Sequence, residues 1–407
     1  MLTKVLISAY SCTPGEGSEP GIGWNQVQQA ARRHEAWVIT RSNNRVLIDR
    51  AIARDSLPNV HWVYFDLPAW ASFWKKGTRA MRVYYHCWQF GAYLQARKLH
   101  KTVGFDLVHH VTWGAYWMAI FVPLLPVPFV WGPVGGGESC PRDLRRSLTI
   151  RGRISETLRD CARKVGEMNP MVRLTARRSV LALATTEETA ERLRAIGCRN
   201  TSVVPALGLS VAELERLAAV PAAEGDTFRI FSLGRLLYWK GIDIGLCAFA
   251  RFHQTHTNSE YIIVGNGPER ERLERLAASL GIREKVVFHD TLPRDEVFQL
   301  WAAGHVLLFP SLHDSGGCVS LEAMAAGRPV VCLDVGGPAV QVTADTGIKV
   351  KPAPREQVVE DLAEALRVLA NDRNRCTEMG QAGRERVRQH FNWDEKGNFF
   401  TAAYRSV

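Results

Sequence analysis

Apolar positions fall into short continuous runs separated by longer stretches of helical periodicity, and this alternation recurs from one end of the chain to the other. Continuous apolar runs suit strands buried on both faces, and the amphipathic stretches between them supply the crossovers of a parallel sheet. The pattern predicts a first series of strands at 4–8, 36–40, 61–64, 107–110, 129–131 and 180–184. A second series follows at 227–232, 259–264, 285–288, 306–309 and 329–333. Between the two, Pro205, Gly208, Pro221 and Gly225 punctuate a short Ala/Leu-rich helix, which reads as a junction. A further helix is expected at 115–121. The fold class is therefore α/β, with two doubly wound, Rossmann-like domains facing each other across a cleft at their strand C-terminal ends. The expected boundaries are 1–204 for the N-terminal domain, 205–225 for the junction and 226–390 for the C-terminal domain.

Composition and local runs refine this picture in four places. With 407 residues, 46% of them hydrophobic, the chain can bury two cores. Its nine cysteines are scattered without metal-finger spacing, so neither a disulfide framework nor a structural zinc site is expected, and a reducing cytoplasm is the natural compartment. The apolar run at residues 1–10 is too short for a signal peptide and reads as the first strand. No charged residue falls between His110 and Glu138, yet Pro123, Pro126 and Pro128 argue against a membrane-spanning helix.

Charge is divided unevenly. Residues 1–204 hold 28 Lys and Arg against 15 Asp and Glu, whereas the remainder holds 23 against 26. Within the basic half, residues 67–101 interleave Trp70, Phe73, Trp74, Tyr84, Tyr85, Trp88, Phe90 and Tyr93 with Lys75, Lys76, Arg79, Arg82, Arg97, Lys98 and Lys101. Such a mixture suits an anionic bilayer surface, and equally a helix whose aromatics enter a core while its charges face solvent. No nucleic-acid-binding module accompanies the charge, so nucleic acid is not an expected partner.

The densest candidate chemistry lies in Pro310-Ser311-Leu312-His313-Asp314-Ser315-Gly316-Gly317-Cys318-Val319-Ser320-Leu321-Glu322-Ala323-Met324-Ala325-Ala326-Gly327-Arg328-Pro329. Strand, glycine turn and Ala-rich helix in succession place free backbone N–H groups of a helix N-terminus at the mouth of a loop, a natural seat for phosphate. Asp314 and Glu322 bracket that seat, eight positions apart. One carboxylate would grip a sugar and the other a ribose.

With these residues the chain resembles the retaining nucleotide-sugar glycosyltransferases of the GT-B fold, family four. Their signature pairs two acidic residues eight apart, the second opening Glu-Ala-Met-Ala-Xaa-Gly-Xaa-Pro-Val, which this chain reproduces from Glu322 to Val330. It departs at the first acidic position, where Asp314 replaces Glu, and Gly316-Gly317-Cys318 replaces Gly-Phe-Gly. The resemblance implies donor-binding roles for Asp314, Ser315, Gly316, Gly317, Cys318, Val319 and Glu322. Phe231-Ser232-Leu233-Gly234-Arg235-Leu236-Leu237-Tyr238-Trp239-Lys240-Gly241 carries the family's Gly-Arg and Lys-Gly pairs, so Arg235 and Lys240 are the expected cations on the donor diphosphate. Gly265, in a family-like turn, and Leu292, in a region that usually borders the nucleotide base, complete the donor side.

The N-terminal domain offers three loops. In the glycine-rich connection 15–25, Gly21 and Gly23 would border the donor phosphates and the acceptor. After the strand at 107–110, the resemblance implies a histidine near the reacting sugar, and His109 and His110 are both candidates because neighbouring strand positions point to opposite faces. In Trp131-Gly132-Pro133-Val134-Gly135-Gly136-Gly137-Glu138, Glu138 would bind an acceptor hydroxyl or belong to a plain surface turn. The family's final helix, here 393–404 within 391–407, crosses back onto the first domain.

The implied reaction moves a hexosyl or N-acetylhexosaminyl group from a nucleoside-diphosphate sugar to an acceptor hydroxyl, lipid-linked acceptors included, with retention at the anomeric carbon. No metal or other cofactor is expected, since Arg235, Lys240 and a helix N-terminus supply positive potential and no Asp-Xaa-Asp cluster stands in the site. Polysaccharide, glycolipid or glycoconjugate biosynthesis at the inner face of a membrane is the expected setting. A nucleotide-sugar epimerase of the same fold and a non-catalytic sugar-nucleotide-binding protein are the two rival readings.

Overall fold

The computed structural model describes residues 2–75, 77 and 80–406, so Lys76 and Arg79 of the basic stretch lie outside the described residues. The chain divides into two compact units: Met1–Gly137, Asp160–Leu207 and Trp393–Val407 form the first, and Glu138–Arg159 with Gly208–Asn392 the second. Segment 138–159, expected in the first domain, thus folds with the second, where Cys140 and Leu144 join the apolar core. It contains no strand, so nothing in the alternation ties it to either sheet. Much of the expected junction also belongs to the second unit, including the helix Val211–Ala218.

The first unit is built on seven parallel strands: β1 (Lys4–Ala9), β2 (Glu35–Thr40), β3 (Val60–Tyr64), β4 (Leu107–Thr112), β5 (Phe129–Val134), β6 (Ser179–Ala184) and β7 (Thr201–Val203). They are ordered β3-β2-β1-β4-β5-β6-β7. The second unit has six, β8 (Phe228–Leu233), β9 (Ser259–Val264), β10 (Val286–His289), β11 (Val306–Phe309), β12 (Val330–Leu333) and β13 (Gly347–Val350), ordered β10-β9-β8-β11-β12-β13. Both orders reverse direction once, between β1 and β4 and between β8 and β11. At such a switch point the loops leaving neighbouring strand C-termini part to opposite faces of the sheet and open a ligand crevice.

Central strands are buried throughout, as their unbroken apolar runs require: Val5, Leu6 and Ile7 of β1 and Val306, Leu307 and Leu308 of β11 have no accessible surface. Bulky aromatics fill the layers beside them, Tyr85, Trp88 and Trp131 in the first unit and Phe231, Phe249 and Tyr261 in the second.

One expected helix is absent. Residues 115–121 form turns, with Ala115 bridged to Gly135 and the Tyr116 N–H donated to the Gly135 carbonyl. The backbone groups that a helix would use are committed to the neighbouring strand end, and Pro123 bars continuation through the short 3-10 turn Val122–Leu124. Among the described residues no helix is long and apolar enough to cross a membrane.

Candidate active site

The second unit's switch point is lined by the loops after β8 and β11, and hydrogen bonds join the two. The Trp239 carbonyl accepts from the Leu312 N–H at 2.7 Å and from Ser311 Oγ at 3.1 Å. Gly241, with φ of 65°, ends the first loop where a Cβ would collide with the Pro310 carbonyl, so a side chain there would force the loops apart.

This docking sets Lys240 against Asp314. Its ammonium donates to Asp314 Oδ2, while Asp314 Oδ1 accepts from the N–H groups of Gly316 at 3.0 Å and Gly317 at 3.3 Å. Burial pushes the carboxyl pKa up, but the Lys240 charge and these hydrogen bonds outweigh it and hold the group below its usual value. A carboxylate offers about four acceptor positions, and three are occupied here. Asp314 is thus chiefly the loop's organiser and the countercharge of Lys240, with one position left for a hydroxyl.

Arg235 behaves differently. Its side chain is exposed and makes no hydrogen bond or ion pair within the described residues. The helix Cys318–Ala325 begins after Gly317 with no side-chain cap. A guanidinium unpaired within the described residues and a helix N-terminus, on loops that flank one crevice, give it a positive rim suited to an anion. Glu322 faces inward from that helix, buried, with Cys318 Sγ 3.7 Å from its Oε1. Val319 is half-buried on the first turn, Gly265 is buried after β9 with its N–H donated to the His289 carbonyl, and Leu292 is half-buried in the loop after β10.

Two carboxylates reach this site from segment 138–159. Buried Glu138, expected on the acceptor side of the first domain, accepts from Ser315 Oγ at 2.7 Å and so braces the β11 loop of the second unit. Glu156, fully buried on the helix Ile150–Met168, was invisible to sequence reasoning. Its Oε1 accepts from the Tyr238 hydroxyl at 2.8 Å and lies 2.8 Å from His313 Nε2. These are neighbours of Lys240 and Asp314, so one oxygen cross-ties the two loops. Burial pushes the Glu156 pKa up, but His313, Tyr238 and Arg159 together bring it below its usual value. His313, adjacent to Asp314 and stacked on Trp239 at 5.7 Å, was the one available signal. Glu156 lies 157 residues from it, on an arginine-rich helix that reads as a solvated face.

In the first unit the corresponding residues are buried. His109 and His110 do point to opposite faces of β4, but both are fully buried. His109 Nε2 lies 2.5 Å from the Gly132 carbonyl and must carry the proton, leaving Nδ1 to accept from the Tyr404 hydroxyl at 2.6 Å. Burial lowers its pKa to about 4, against the opposing pull of the Gly132 carbonyl. His110 meets Ser8 Oγ at 3.2 Å and the Tyr85 hydroxyl at 3.4 Å, and burial followed by the neighbouring His109 takes it to about 3. Neither imidazole lies at a surface. Gly21 and Gly23 are likewise not loop residues: both are buried within the helix Ser18–Ala31, and a Cβ on Gly23 would collide with the Ser11 carbonyl. Gly23 lets that helix pack against the chain just beyond β1, and Gly21 lets it pack against the Glu16 carbonyl of the preceding loop.

Comparison with known proteins first defines the class. Sucrose-phosphate synthase from Thermosynechococcus elongatus superposes with a TM-score of 0.66 over 99% of this chain and 98% of that one, at 19% identity. Anabaena HepE in complex with UDP and glucose gives 0.62 over 100% of both chains, at 17% identity. With two parallel sheets of Rossmann-like order, the fold is GT-B. Residues 215–386, the bulk of the second unit, match the family model for glycosyl transferases group 1. The 2-deoxystreptamine glucosyltransferase of Streptomyces kanamyceticus is 33% identical over 202 residues, 48% of this chain and 50% of that protein. The chain thus spans about half the length of this curated relative.

Proposed function

We propose that the chain transfers a sugar from a nucleoside-diphosphate sugar to an acceptor hydroxyl, with retention at the anomeric carbon and without a metal. The observation that carries this reading is the unpaired Arg235 guanidinium, held on the loop that sets Lys240 at the crevice between β8 and β11. Breaking the bond between the anomeric carbon and the diphosphate oxygen loads negative charge onto the leaving group. Arg235, Lys240 and the N-terminus of the helix Cys318–Ala325 are fixed positive groups that stabilise this charge as it develops. The acceptor oxygen bonds to the anomeric carbon on the face the diphosphate leaves, and the acceptor proton passes to the departing diphosphate oxygen. Glu322 holds nucleotide ribose hydroxyls, and the free acceptor position of Asp314 takes a sugar hydroxyl. Because a GT-B neighbour was solved with UDP and glucose, a uridine diphosphate hexose is the first donor to try.

The test is a panel of UDP-, GDP-, dTDP- and ADP-sugars in metal-free buffer, with binding followed by calorimetry and products by mass spectrometry. One donor should bind and release its nucleotide slowly by hydrolysis, and Glu322→Gln should weaken that binding. A sugar that emerges isomerised but still joined to its nucleotide would replace transfer by epimerisation, and failure of every donor to bind would overturn the site.

A further inference from the structure

The helix Met81–Val103 of the first unit sorts its aromatic residues onto two faces. Tyr84, Tyr85 and Trp88 are buried in the core, whereas Val83, Phe90 and Leu94 face outward. Just before it, the short helix Ala69–Ser72 leaves Trp70 79% exposed, and Phe73 follows at 76%, the two most exposed large apolar side chains among the described residues. The aromatics thus divide into a core set and an outward set.

The charges around the outward set are of one sign. No Asp or Glu occurs between Asp66 and Asp106. Arg82, Arg97, Lys98 and Lys101 are all exposed, and none makes a side-chain hydrogen bond or ion pair within the described residues. A second copy docking symmetrically on this face would set these cations against themselves with no acidic residue of the segment to offset them. An anionic lipid surface complements both features. Trp and Phe seat favourably at the headgroup boundary, and each nearby cation adds roughly five-fold to the affinity for acidic lipid.

We propose that this face of the first unit is a docking surface for an anionic phospholipid bilayer, with Trp70 and Phe73 inserted at the headgroup boundary and Arg82, Arg97, Lys98 and Lys101 on lipid phosphates. The inference is independent of the sugar-transfer reading, since none of these residues belongs to the candidate active site.

Co-sedimentation of the full chain with vesicles tests it. Binding is expected to mixed phosphatidylcholine–phosphatidylglycerol vesicles, to weaken as salt is raised, and to be at least about ten-fold poorer with pure phosphatidylcholine. Trp70→Ala combined with Phe73→Ala should lower the binding about ten-fold or more while leaving the melting temperature unchanged. Separately, Lys98→Glu with Lys101→Glu should remove the preference for acidic lipid. Equal binding to neutral vesicles, insensitivity to both double variants, or no binding at all would each overturn the proposal. So would a dimer, seen by light scattering, that the aromatic variant dissolves.

Discussion

The strand ends at β1 and β4 and those at β8 and β11 hold equivalent places in two sheets of the same leading order, yet they treat their polar residues in opposite ways. At β4 both histidines are sealed in and fully engaged with neighbours. At β8 the Arg235 side chain is left exposed and, among the described residues, unpaired, beside loops that are themselves tightly braced. Polar groups satisfied inside a fold stabilise it, while those left unpaired on a rigid support are available to a ligand. One switch point seals its polar side chains in and the other leaves a cation exposed.

Single substitutions should separate the two. The largest effect is expected from Arg235→Ala, with kcat/KM for transfer falling roughly 10²–10³-fold while stability stays within about 0.5 kcal/mol. His109→Ala should do the reverse: thermal or urea denaturation should show a loss of about 2–4 kcal/mol, because the Gly132 carbonyl and the Tyr404 hydroxyl lose their buried partner. Activity per folded molecule should remain within a few-fold. A folded His109→Ala protein with an unchanged melting curve and no activity would break the contrast.

Acid should act next, and on the first unit's sheet. As pH falls below about 6.5 the unfolded chain protonates its histidines, whereas His109 and His110 stay neutral in the fold until about 4 and about 3. Their contribution is therefore full above pH 6.5 and drains away toward pH 4, on the order of 1–2 kcal/mol each by pH 5. Asp314 and Glu156 have depressed pKa values, so their contribution persists to lower pH and is lost as they protonate below the usual carboxylate range. Hydrogen exchange at pH 5 should show β4 and β5 opening more readily than at pH 7, and exchange at β4 that does not change would sink the idea.

The smallest effect concerns the cross-tie. Glu156→Leu removes the acceptor shared by Tyr238 and His313 and should weaken donor binding about ten-fold, whereas Glu156→Gln, which keeps an acceptor oxygen, should lose less. Donor KM should move more than kcat, and equal damage from both variants would point to a lost charge instead of a lost tie.

The sequence made the sheets legible because central strands must be apolar at every position, and that requirement leaves an unmistakable run. It hid β7 and β13, since a three-residue edge strand such as Thr201–Val203 needs no buried run and a four-residue one carries Lys349 outward. The donor-side loops were readable because glycines, an acidic pair and two cations lie within short segments. Glu156 was not, and Glu138 was found but assigned to the other unit, for their placement depends on a strandless segment joining the second unit, a tertiary choice that no local period records. The histidines were found but their burial was not: a strand end looks the same in sequence whether the next loop leaves it open or seals it.

The bond between His109 and Tyr404 joins residues 295 positions apart, and the helix Trp393–Arg405 that carries Tyr404 is part of the first unit. On a ribosome, β4 emerges early, but its partner appears only after the whole second unit has been made. The first unit is begun first and finished last. A nascent chain therefore carries the His109 side of β4 without its Tyr404 partner until the second unit has been made.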